Sequence, residues 1–125
     1  MSEEIIDLKD VLERVQDDKE LLLELFDIFQ EDFVNKRKAL AEAVTAGNIP
    51  KVKEVAHSMK GSSGNISAKS MYATCLQLEQ LAKSNSTDGM QTLVTNIDSQ
   101  FDQVRVFVAA KKKEWGGGWS ARGFS

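Results

Sequence analysis

The only histidine of the chain, His57, stands in the stretch Ala56-His57-Ser58-Met59-Lys60-Gly61-Ser62-Ser63-Gly64. An unhindered imidazole titrates at about pH 6.5, so near neutrality the ring keeps a nitrogen lone pair that can take an electrophile. If the electrophile is a phosphoryl group, about two negative charges arrive with it, and a lysine one turn away can hydrogen-bond an oxygen and offset them. Lys60 has that spacing. Gly61 and Gly64 each cost roughly 1 kcal/mol relative to alanine in a helix interior, so helix stability is not why they are there. Bare positions beside the ring would let a partner close over it, and phosphoryl transfer depends on holding donor and acceptor in line.

Helical geometry sorts these residues by face. At a step of about 100° per residue, Val52, Val55, Met59 and Ile66 gather within about 40° of the pole opposite His57. Lys53, Lys60, Gly61 and Gly64 lie within about 60° of the histidine itself. The imidazole is therefore expected to point to water, with glycines on one flank and lysines on the other.

Other chemistries find little support. No second histidine or close cysteine completes a zinc pattern, so no metal is expected on this chain. Cys75 falls on an apolar stripe and reads as core, and a single cysteine cannot form an internal disulfide. No carboxylate pair stands out for acid/base work, and no G-x-x-x-x-G-K-[ST] loop offers to cradle a nucleotide. A net charge of −3 argues against nucleic-acid binding, which draws on clustered lysine and arginine. Asn65-Ile66-Ser67 and Asn85-Ser86-Thr87 fit the glycosylation pattern, but no secretion signal or long apolar run accompanies them. A cytoplasmic protein without membrane insertion is the expectation.

At 125 residues, with 42% hydrophobic and 28% charged content, the chain suits one domain with its own core. Its periodicity is helical throughout. Asp7 can cap a short first helix reaching about Arg14. Asp17 with Glu20 has capping-box spacing before a long second helix, whose apolar stripe is Leu22, Phe26, Phe29, Phe33, Leu40 and Val44. Gly47-Asn48 should stop it. A third helix then carries Pro50 in its first turn and His57 further on, and breaks at Asn65-Ile66-Ser67. Met71, Cys75, Leu78 and Ala82 mark a fourth helix; Met90, Val94, Ile97, Phe101, Val104 and Val108 mark a fifth. Lys111, Lys112 and Lys113 read as its solvated last turn. The expected fold is all-α: an antiparallel four-helix bundle over residues 1–114 with a short additional N-terminal helix as a lid. Residues 115–125, rich in glycine and without periodicity, are expected to be a flexible tail of the kind an expression vector adds.

The stretch His57-Ser58-Met59-Lys60-Gly61-Ser62-Ser63-Gly64, with its H-x-x-K-G pattern, resembles the histidine-containing phosphotransfer (HPt) domains of two-component phosphorelays. Leu25-Phe26-Asp27-Ile28-Phe29, Ala46-Gly47-Asn48 and Cys75-Leu76-Gln77-Leu78-Glu79 are similar to other recurring segments of that family, so the likeness spans roughly residues 5 to 110. Ser67 departs from it, where many members have glycine. The resemblance implies a shuttle between aspartates of receiver domains. His57 would be the phosphoacceptor, Lys60 would orient and neutralise the phosphoryl group, and Gly61 and Gly64 would keep the docking surface open. Response-regulator receivers are the implied partners, with a hybrid sensor kinase as a further candidate. No cofactor is expected on this chain, because the receiver would bring the Mg²⁺. The second and third helices would form the docking face, with Lys36, Arg37 and Lys53 as rim charges towards an acidic pocket. Two alternatives remain open at this point: the substrate domain of a chemotaxis-type kinase, which has a similar helix, and a helical adaptor whose histidine is incidental.

Overall fold

The structure, a computed structural model, describes residues 4–120, with side chains as far as Trp115. Among the described residues five helices follow one another: α1 (Leu8–Arg14), α2 (Lys19–Ala46), α3 (Ile49–Asn65), α4 (Lys69–Lys83) and α5 (Met90–Ser120). Helices α2 to α5 form a closed ring of neighbours in which α2 packs on α3 and α5, and α4 on α3 and α5. Short connections leave consecutive helices antiparallel, as in a four-helix bundle.

Local chemistry sets the boundaries. The Asp7 carboxylate accepts from the backbone N–H of Asp10 at the start of α1, and the side-chain amide oxygen of Asn48 accepts from Lys51 N–H at the start of α3. Gly47 closes α2 at φ +67°, a left-handed conformation that glycine adopts freely. The cap of α2 is Asp18, not Asp17: Asp18 Oδ1 accepts from Leu21 N–H, while Asp17 turns the chain at φ 63°. Two adjacent aspartates competed for one cap, and the turn after α1 decided between them.

The apolar stripes meet in the centre. Leu22, Phe26, Phe29, Phe33 and Leu40 of α2 are buried with Val52, Val55 and Met59 of α3, Met71, Cys75, Leu78 and Ala82 of α4, and the expected seam of α5. Val44 is partly buried against them. Phe29, Phe33 and Phe101 form a ring cluster with centroids 4.8 to 6.2 Å apart, within the range in which aromatic pairs attract. Burial pushes the Cys75 thiol up to about 12, so it stays protonated and inert in the core.

Helix α1 does not roam as a lid. Val11 is buried, Asp7 N–H donates to Ser67 O at 2.9 Å, and the Arg14 guanidinium donates to Gly64 O at 3.1 Å. Ser67 holds φ 57°, a region glycine prefers, and its hydroxyl donates to Asp10 Oδ2 at 2.6 Å. The serine that departs from the family pattern thus occupies a glycine-like backbone position, tied down by α1.

The largest departure from expectation is at the end. Helix α5 continues to Ser120, so the boundary placed between residues 114 and 115 falls inside it. Trp115 packs against the core, with Lys19 and Lys111 ammonium groups 5.3 and 5.9 Å from its ring. Lys111–Lys113 are therefore not a last turn. Lys112 pairs with Asp27 of α2 at 2.6 Å, and Lys111 with Glu114 at 3.1 Å. Residues 121–125 of the expected tail lie outside the described residues. No helix among the described residues is long and apolar enough to cross a membrane.

Candidate functional site

Val52, Val55, Ala56 and Met59 bury the inner face of α3 and so fix the opposite face outwards. His57 stands on that outer face with 66% of its side chain exposed. Its ring is nonetheless held. Nδ1 lies 2.8 Å from Glu79 Oε2 of α4. An ionised carboxylate only accepts, so Nδ1 must donate, and the neutral ring keeps its lone pair on Nε2.

Glu79 serves two partners. Its other oxygen lies 2.8 Å from Lys60 Nζ. The Lys60 hydrogen bond, followed by the one from His57, outweighs partial burial and holds the Glu79 carboxyl below its usual range. The same bond raises the Lys60 ammonium above its usual value. Only 15% of the Glu79 side chain and 18% of Lys60 are exposed, so Lys60 is not the open charge expected from its spacing. It reaches back across the α3–α4 seam and neutralises the carboxylate that orients the histidine.

The two glycines separate in role. A Cβ on Gly61 would meet nothing within 4 Å, so this surface is open as expected. A Cβ on Gly64 would lie 3.3 Å from Cδ2 of Tyr72, so Gly64 is covered by that ring and gives α4 room rather than a bare landing place. Lys53 is exposed and lines, with Pro50, Glu54, His57 and Glu79, a recess of about 480 Å³ beside the imidazole.

On the other side, α2 and α3 enclose a shallow groove of about 290 Å³ lined by Leu25, Ile28, Asp32, Ser62 and Asn65 among others. Ile28 is 61% exposed there. Lys36 does lie at this seam, but its ammonium is engaged by Asp32 at 2.6 Å and Ser62 Oγ at 2.7 Å. Arg37 points elsewhere: it pairs with Asp98 of α5 at 2.8 Å and lies over Phe101, so it is no rim charge of an α2–α3 face. Its place on α2 is turned from Lys36 by about 100°, enough to reach a different neighbour.

Glu79 was missed by reading along one helix, because it is 22 residues from His57 on the next. A signal existed. Gly64 and Tyr72 each stand four residues from Ala68, and His57 and Glu79 each stand eleven from it. In two antiparallel helices joined by a tight turn, residues equidistant from the turn face each other.

The Hpt domain family matches residues 24–107. Among solved structures, the chain is similar to the crystal structure of histidine-containing phosphotransfer protein B (HptB) from Pseudomonas aeruginosa PAO1, with a TM-score of 0.82 and 24% identity over 91% of this chain and 98% of that one. No curated protein matches by sequence.

Proposed function

The chain belongs to the Hpt domain family, the histidine phosphotransfer domains of two-component phosphorelays, and from that premise we propose that His57 is its phosphoacceptor. The observation that carries the assignment is the 2.8 Å hydrogen bond from Nδ1 to Glu79, which leaves the lone pair on Nε2 of a ring that is 66% exposed. In the reaction this supports, the Nε2 lone pair attacks the phosphorus of an aspartyl phosphate. The P–N bond forms as the P–O bond to the aspartate breaks, and that bond's electron pair leaves on the carboxylate. The ring, now carrying its Nδ1 proton and a positive charge, is balanced by Glu79. Transfer onwards reverses the step: the next aspartate attacks, and the P–N electron pair returns to Nε2.

Lys60 acts in this reading chiefly through Glu79, and any direct contact with phosphoryl oxygens requires its ammonium to share or leave that carboxylate. Gly61 keeps the approach to Nε2 clear. The groove containing Ile28, with Lys53 on the far side of the ring, supplies the docking face for receiver domains, and a hybrid sensor kinase carrying such a domain is a fitting partner. Mg²⁺ is assigned to the receiver, and the cytoplasm is the compartment where the relay would operate.

The test is labelling by phosphorylated receivers. Wild-type chain should take up an acid-labile label that His57→Gln lacks, and label retained in His57→Gln would sink the assignment. Parallel incubation with a chemotaxis-type kinase and ATP distinguishes the donor, since label from that source alone would replace the shuttle by a kinase substrate.

A further inference from the structure

Tyr72 is an exposed aromatic ring on α4 that the phosphoacceptor chemistry leaves unused. Its side of α4 borders the outer face of α3, and the residue is 40% exposed. The ring does not swing free. Cδ2 and Cε2 lie 3.3 and 3.5 Å from where a Gly64 Cβ would be, so the ring rests on the bare backbone of α3.

Scale decides whether a partner on His57 would reach it. Gly64 is seven residues from His57, about 10 Å along the helix at 1.5 Å per residue. A transient signalling interface covers roughly 600 Å² on each partner, equivalent to a disc of about 14 Å radius. A receiver centred on Nε2 would therefore cover Tyr72 on one side as it covers the Ile28 groove on the other. Aromatic residues are enriched among the few positions that dominate interface energies, and a ring already seated loses little freedom on binding.

We propose that Tyr72, backed by Gly64, is a second apolar anchor for the receiver domain, on the α4 side of His57, which selects receivers with an apolar recess beside their acidic pocket. The proposal rests on His57 being the acceptor for receiver-borne phosphoryl groups. Continuity with that docking face and the two flanking apolar sites, Ile28 and Tyr72, specify the occupant as one receiver spanning both.

The experiment compares labelling of the full chain by a panel of phosphorylated receivers with labelling by phosphoramidate, a small donor that needs no docking. In Tyr72→Ala, and in Tyr72→Gln, which keeps a side chain over Gly64, the ratio of receiver-donated to phosphoramidate-donated rate should fall about tenfold for at least one receiver and unequally across the panel. A wild-type ratio in both variants overturns the proposal, including the case where both rates fall together because the ring only supports the fold. If no receiver labels the wild type while phosphoramidate does, the receiver-docking reading fails, and this anchor with it.

Discussion

At the level of single residues, the site is a carboxylate shared between an exposed histidine and its neighbouring cation. Glu79 binds His57 Nδ1 and Lys60 Nζ at 2.8 Å each. Replacing it by alanine frees the ring to rotate and to carry its proton on either nitrogen. We expect Glu79→Ala to slow phosphoramidate labelling of His57 about tenfold, and Glu79→Gln, whose amide oxygen can still accept from Nδ1, to lose less, as read by initial rates. The pair also predicts how stability varies with pH. The Glu79 pKa is lowered in the fold, so its contribution is present above the unfolded value of about 4.3 and disappears as pH falls through the lower folded one. The Lys60 pKa is raised, so its contribution is present below about 10.4 and disappears as pH rises through the higher folded one. Melting temperatures across this range should therefore separate wild type from Glu79→Gln most in the middle and converge at both extremes. The histidine could be singled out in the sequence because its neighbours at i+3 and i+4 belong to the same helix. The carboxylate could be reached only by pairing positions across the α3–α4 turn, since its proximity depends on how two helices align.

Element by element, α3 surrenders helical stability for access. Gly61 sits mid-helix with open space where a Cβ would be, so Gly61→Ala should stabilise the bundle by about 1 kcal/mol in denaturant unfolding. It should also slow transfer from receivers, because the added methyl stands on the approach to Nε2; unchanged transfer would show that this surface is not covered during the reaction. Gly64 looked equivalent in sequence and is not, because Tyr72 occupies its flank. The same distinction explains Arg37. Periodicity placed α2 and its buried stripe correctly, yet adjacent positions on a helix diverge by about 100°, and only the neighbours reveal that Lys36 meets α3 while Arg37 meets α5.

The whole molecule is a closed ring of four helices around a core that six periodic positions on α5 and the phenylalanine stripe on α2 announced in advance. Phe33 is fully buried between Phe29 and Phe101, and Phe33→Ala should cost about 3–5 kcal/mol in global stability by equilibrium unfolding. The end of the bundle was less legible. Glycines after Trp115 and the absence of periodicity masked the continuation of α5, whereas the contacts of Trp115 with Lys19 and Lys111 come from the other end of the chain and from one turn back. Ending the chain at Glu114 should therefore lower the melting temperature by a few degrees, a loss that removing residues 121–125 alone should not reproduce.

If His57 takes the phosphoryl group as proposed, its capped Nδ1 fixes the regiochemistry of the product. Phosphate added at the distal ring nitrogen gives τ-phosphohistidine and not its π counterpart. An antibody selective for the τ form should recognise the labelled chain, and one raised against the π form should not.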